Sequence, residues 1–266
     1  MFKFMKFNNL ILARAKIKLF FLLIFLNSVF GWADTLKVPD QVESYLAPHK
    51  PTGFYIKDDC NQVLINIKYQ ECYNYYYNTP DFVIYSLDSA DILVEKYKRQ
   101  YLRTDKRIPR EYRPSYKEYS YDGFDAGHLP ASSSVDINIE AADEVYVINA
   151  CVPQEENLNR GLWSKLEKYE RKLALINKKI YVVTGVLRSD KFIKNKVRVN
   201  IPSALWKIFL IIPNSDDPYF ECYLISNSRP QSNKIEDYLI ELSDLINKIH
   251  IDKENFKLVW EHDIKN

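Results

Sequence analysis

An α+β fold is expected of this 266-residue chain, and three observations carry the expectation. Runs rich in Val, Ile, Tyr and Phe read as strands at 82–87, 144–149, 179–186, 205–212 and 220–225. They do not alternate regularly with helices, as a parallel sheet would require. Two segments instead carry apolar residues at helical spacing: Leu162, Leu166, Tyr169 and Leu173 within 159–176, and Ile235, Tyr238, Leu239, Leu242, Leu245, Ile246 and Ile249. Three- and four-residue steps place each set along one helix face, where core packing is the simplest use.

Domain organisation follows from what lies between these elements. Lys3, Lys6, Arg14, Lys16 and Lys18 precede an apolar run at 19–26, and small residues follow at Gly31 and Ala33. That order resembles an export signal. The alternative is a retained anchor, although the run is shorter than the roughly 20 apolar residues of a comfortable span. Residues 1–33 are therefore set apart, and 34–266 read as a single domain, with no Gly/Ser-rich tract or repeat to divide it. An exported or secreted location, periplasmic in a double-membrane cell, is the corresponding expectation, with membrane contact only if the segment stays uncleaved.

Charge and cysteine usage narrow the function classes. The first 33 residues hold five of the 37 Lys and Arg and none of the 35 Asp and Glu, leaving 32 against 35, a net −3. A polyanionic ligand must then be met by a local patch, because the global field does not attract it. Lys96, Lys98, Arg99, Arg103, Lys106, Arg107, Arg110 and Arg113 offer one, interleaved with Tyr97, Tyr101 and Tyr112; a solvated surface run is the plain alternative. Cys60 and Cys72 lie close together ahead of the 82–87 run and are the expected disulfide pair, whereas Cys151 and Cys222 fall in apolar runs that suit buried thiols. No cysteine has metal-ligand spacing, and four scattered histidines do not make a zinc site.

Two residues carry the chemistry. His128 lies in a Gly-His-Leu-Pro turn rather than on an apolar helix face. An imidazole with pKa about 6.5 suits removal of a proton from water near neutral pH; a turn histidine with a structural role is the alternative. Asn159 opens the first helical segment, where an N-cap is the ordinary role. Its amide oxygen is also a hard ligand of the kind Mg²⁺ takes while keeping most of its waters. At about 100 degrees per residue, Trp163 and Glu167 share its flank, so Glu167 can orient such waters without touching the ion.

The ordered motifs decide between these readings. Asp125-Ala126-Gly127-His128-Leu129-Pro130, then Asn149-Ala150-Cys151-Val152-Pro153-Gln154, then Asn157-Leu158-Asn159-Arg160-Gly161-Leu162-Trp163 with Leu166-Glu167, resemble the DNA/RNA non-specific endonucleases. Thr184-Gly185-Val186, Ile201-Pro202-Ser203 leading to Trp206-Lys207, and Ile225-Ser226-Asn227 extend the likeness to most of the domain. The resemblance implies the ββα-metal fold, a mainly antiparallel central sheet flanked by helices. It also implies a nuclease that uses Mg²⁺, with Mn²⁺ able to substitute, on both DNA and RNA, leaves 5′-phosphate ends and needs no small-molecule cofactor. By that resemblance His128 is the general base, Asn159 the protein ligand of the ion, Glu167 a ligand through water, Asn149 a supporting residue near the base, and Asp125 a residue that fixes the His128 loop.

One departure stands out. Arginine is usual where this chain has Ala126, so another cation is expected to meet the phosphate. Arg99 and Arg103 are the candidates, with Arg160 and Arg171 weaker ones. The same departure supports a different reading, a catalytically weak nuclease-fold protein that binds nucleic acid at the cell envelope. A phosphatase of small esters is disfavoured, since the clustered acidic and histidine ligands of such enzymes are absent from the sequence.

Overall fold

The computed structural model describes residues 60–94, 97, 100–119, 123–193, 196–213 and 217–249. The expected export segment, Arg99, and the other three histidines, His49, His250 and His262, lie outside the described residues. No helix among the described residues is long and apolar enough to cross a membrane.

Six strands form the central sheet: β1 (Gln62–Ile65), β2 (Gln70–Asn74), β3 (Thr79–Asp88), β6 (Lys179–Leu187), β9 (Ala204–Ile211) and β10 (Tyr219–Ser226), in that spatial order. Every neighbouring pair is antiparallel. Alternation along β3 shows why the sheet is covered on both faces. Val83, Tyr85 and Leu87 enter one buried cluster, Phe82 and Ile84 another, as the two-residue period of a strand dictates. The first cluster lies under α2 (Ser164–Asn177), through Leu166, Leu173 and Ala174. The second is closed by Leu245 and Ile246 of α3 (Leu242–Ile249). The expected Cys60–Cys72 disulfide is present, beside the β1–β2 hairpin, and Cys151 and Cys222 are buried free thiols.

Two sequence expectations are corrected. Residues 144–149 do not form a strand. Asn138 Oδ1 accepts a hydrogen bond from Ala141 N at 2.7 Å and starts α1 (Ile139–Val145). Only Val147 bridges a neighbour, Arg103, before a 3₁₀ turn over Ile148–Ala150. The second helical stripe is also broken. Ile235–Tyr238 is a 3₁₀ turn, Ile240 N donates to Cys222 O at 3.0 Å, and Leu239 bridges Tyr223. Pairing with the β10 edge draws the chain out of the helix before α3.

A smaller antiparallel pair stands apart from the central sheet: β4 (Phe124–His128) with β5 (Cys151–Glu155), in the register His128 to Cys151 and Asp125 to Gln154. The chain leaves β5 directly into a π-helical stretch, Leu158–Trp163, that runs on as α2. The helix start is satisfied by Glu155, whose carboxylate accepts from Leu158 N at 2.8 Å. Asn227, just past β10, then locks this unit to the sheet. Its Oδ1 accepts from Glu155 N, and its Nδ2 donates to the carbonyls of Pro153 and Pro202, each at 2.9 Å. The outlying Ile-Pro-Ser and Ile-Ser-Asn motifs thereby meet at one joint behind β5. A third pair, β7 (Phe192–Ile193) with β8 (Val199–Asn200), lies alongside.

Candidate active site

Asn159 is not a helix cap. It sits inside the π-helical stretch, a distortion frequent at functional sites, and its Nδ2 donates to Asp125 Oδ2 at 2.9 Å. A carboxylate only accepts, so the amide nitrogen must face Asp125, and the carbonyl oxygen occupies the opposite edge of the side chain. Asp125 is gripped further by Arg160, through Nε to Oδ2 at 2.9 Å and NH2 to Oδ1 at 2.6 Å; a second arm of Arg160 meets Glu156 at 3.1 Å. Asp125 thus ties β4, the strand that ends in His128, to the helix and orients Asn159.

His128 lies three residues along β4 from Asp125, about 10 Å at the rise of a strand. It is half-buried, and the Tyr146 ring meets it edge-on at 5.7 Å and 88°. The adjoining Gly127 is required by a close approach: a Cβ there would come within 2.2 to 2.7 Å of the Gln154 side chain, which is fully buried and has little room to yield.

Glu167 is half-buried one turn into α2. Desolvation pushes its carboxyl up to about 7, with Glu170 adding to the rise and Lys207 and Arg171 opposing it. Among the described residues no three His, Cys, Asp or Glu side chains are gathered to hold a metal ion. The donor set is instead the amide oxygen of Asn159, oriented by Asp125, with the carboxylate of Glu167 two turns on along the same helical run. It fits a hard cation that keeps most of its waters.

Asn149 is buried and donates from Nδ2 to both oxygens of Glu71, at 3.2 and 3.3 Å. Glu71 was not visible as a site residue in the sequence. Burial pushes its carboxyl up to about 8, against the pull of Asn149 and Arg107, while Asp105 raises it further. The folded protein therefore holds this proton more tightly than the unfolded chain. The stability it contributes is complete below about 4.5 and is lost as pH rises toward 8. Glu71→Gln is expected to flatten that loss and to exceed the wild type at pH 8 by up to a few kcal/mol, at about 1.4 kcal/mol per pKa unit. Unfolding midpoints between pH 5 and 8.5 check this; parallel profiles for the two proteins count against it.

Lys96, Lys98 and Arg99 of the basic run lie outside the described residues, and three of its described arginines are engaged in the fold. Arg107 bonds Asp105, Asn66 and the Ile65 carbonyl. Arg113 bonds the carbonyls of Ile108 and Lys106. Arg103 turns to Asp143, 3.4 Å from its carboxylate, while its backbone pairs with Tyr146 and Ile148. Arg171 reaches Ser134 Oγ at 3.4 Å. Ala126 packs against a buried cluster of Tyr119, Ile148, Cys151 and Val199.

Two antiparallel strands running into a helix, with the histidine on the strand and the asparagine in the first helical turns, define a ββα-metal nuclease fold. A model of the DNA/RNA non-specific endonuclease family matches residues 52–255, and the chain belongs to that family, whose members depend on a divalent metal. It is 30% identical to a nuclease of Nostoc sp. over 57% of this chain and 55% of the relative. It is 26% identical to the mitochondrial nuclease of Saccharomyces cerevisiae over 64% and 54%. The chain thus spans about half the length of the curated relatives it matches. Its fold is similar to that in a crystal structure of the EndoG/EndoGI complex, with a TM-score of 0.67 and 20% identity over 74% of this chain and 86% of that one.

Proposed function

We propose that this protein is an exported, Mg²⁺-dependent endonuclease that hydrolyses DNA and RNA phosphodiesters and leaves 5′-phosphate ends. The observation that carries the reading is the Asn159–Asp125 hydrogen bond, which commits the amide nitrogen and turns a carbonyl oxygen outward. Mg²⁺ held there, with Mn²⁺ able to replace it, would neutralise the charge that develops on the phosphate and leaving oxygens. His128 takes the proton from a water whose oxygen attacks phosphorus; the bond from phosphorus to the 3′ oxygen breaks, and solvent protonates that oxygen. Glu71 holds Asn149 in the turn that leads into β5, the strand whose Cys151 pairs with His128, and Glu167 would hold the waters of the ion. Arg103, about half exposed beside Asp143, and Arg99 are the candidates for phosphate contact in the basic run. Export rests on the composition of residues 1–33, and N-terminal sequencing of the mature protein tests it.

The products discriminate the reading. Fragments of DNA and of RNA are expected to accept ligation without prior kinase treatment, as 5′-phosphates do. Fragments with 5′-hydroxyl ends, or action on one polymer alone, would overturn the stated chemistry or the stated breadth.

Removing Asp125 separates orientation of the ligand from the ligand itself. Asp125→Ala is expected to raise the Mg²⁺ concentration needed for half-maximal nicking by about 10- to 100-fold, the usual cost of losing a residue that orients a ligand. A metal titration curve that matches the wild type would contradict this role. Ala126 favours a second reading, a nuclease-fold protein that binds nucleic acid at the envelope and cuts it weakly or not at all.

A further inference from the structure

Two hairpins meet beside the site and build a surface that the mechanism does not use. The β2–β3 turn carries Tyr76, 61% exposed, with Asn78 at φ 54 closing the turn. The β7–β8 hairpin carries Phe192 and Arg198. The Arg198 guanidinium lies 4.7 Å from the Tyr76 ring centre and 4.5 Å from that of Phe192, and the two rings stand at 82°. Asn78 Nδ2 donates to Arg198 O at 2.9 Å, and Asn200 N to Tyr77 O at 3.0 Å, so the hairpins are fixed to one another. Beneath them Tyr77 is held between Phe192 and Arg188.

Charge separates Arg198 from the other arginines near the site. Arg103, Arg107, Arg160 and Arg188 each face a carboxylate. Arg198 is exposed, and among the described residues no carboxylate pairs with it; Lys191 and Lys196 on the same hairpin are exposed too, with Asp190 the one acid at its base. The surface also adjoins the catalytic strand. Val199, the next residue, is buried in one cluster with Cys151 and Ala126. Ala126 and His128 are two residues apart on β4, and such residues project from the same face of a strand.

We propose that Tyr76 and Arg198 form a docking platform for the polynucleotide strand beyond the scissile phosphate. The proposal rests on the nuclease reading and names where that substrate lies. Two rings hold the guanidinium, and its N–H edge is available for two-point contact with a phosphate, which a lysine cannot reproduce. The exposed Tyr76 ring presents a face to an unpaired base, so single strands gain both contacts.

The test uses the full chain. Binding of a fluorescein-labelled single-stranded 20-mer is measured in EDTA, where no cleavage occurs, for wild type, Arg198→Ala, Arg198→Lys and Tyr76→Ala. Cleavage of the same 20-mer and of a dinucleotide is measured in Mg²⁺. Arg198→Ala is expected to weaken binding about tenfold and to lower the salt dependence by about one ion, with Arg198→Lys restoring the salt dependence but not the affinity. KM for the 20-mer rises, kcat stays, and the dinucleotide, too short to reach the platform, is cut as before. Binding equal to wild type in both Arg198→Ala and Tyr76→Ala overturns the proposal, as does equal loss on the dinucleotide. Wild type that binds with this dependence on Arg198 but does not cut keeps the platform and sinks the nuclease reading instead.

Discussion

His128→Ala is expected to lower phosphodiester cleavage by about 10²- to 10⁴-fold, the contribution of a positioned general base, while binding of substrate and the unfolding midpoint stay close to wild type. The side chain is half-buried at the end of β4, and its packing partner Tyr146 keeps its place through the backbone bonds to Arg103 and α1. Removing the ring therefore deletes a proton acceptor and little of the core. Cleavage within about tenfold of wild type would remove His128 from the reaction. A large fall in the midpoint would point to the structural role of a turn histidine.

Glu170→Ala is expected to cost ~3–5 kcal/mol of stability, a large share of what holds a domain together. Glu170 and Lys207 are both fully buried, 2.6 Å apart. The carboxylate also accepts from Tyr85 at 3.0 and 3.1 Å and from Ser134 at 2.6 Å. Lys207 in turn lies 5.1 Å above the Trp163 ring. One anion thus joins α2 to β3, to β9 and to the turn before α1. Truncation takes away the anion bonded to a buried ammonium and leaves only the half-buried Glu167 to face it. The double change Glu170→Gln with Lys207→Met, which removes both charges, is expected to be milder than Glu170→Ala alone. Denaturant midpoints measure the difference; a loss under about 1 kcal/mol for Glu170→Ala would mean that water or another anion reaches Lys207.

The sequence was most legible where one physical period dominated. Leu162, Leu166 and Leu173 announce the helix, and the apolar runs of β3, β6, β9 and β10 announce the sheet, because each buries a face that local spacing reveals. The β4–β5 pair was not legible as strands. Gly127 and Pro153 are poor strand formers, and the pair is held by register and by the Asn227 joint, both set far away in sequence. At the site, His128, Asn149, Asn159 and Glu167 could be picked out by their motifs. What they touch could not: Glu71 is a lone acid in a polar strand, and only the fold places it against Asn149. Arg160 reads in the sequence as a weaker candidate for phosphate contact, and only the β4-to-helix contact sets it on Asp125. Charge along the basic run was legible, but not its use: Arg107 and Arg113 turn inward to carboxylate and carbonyl oxygens, among them that of Ile65, far away in sequence.

Nicking of supercoiled plasmid tests the central claim most directly. The protein is incubated with plasmid in Mg²⁺ and in EDTA, and relaxed circles are counted over time. Conversion in Mg²⁺ that stops in EDTA, and that His128→Ala abolishes, is the result expected of a metal-dependent endonuclease built on His128 and Asn159. Plasmid that is bound but left supercoiled in Mg²⁺ would contradict it and leave a nuclease fold that only holds nucleic acid.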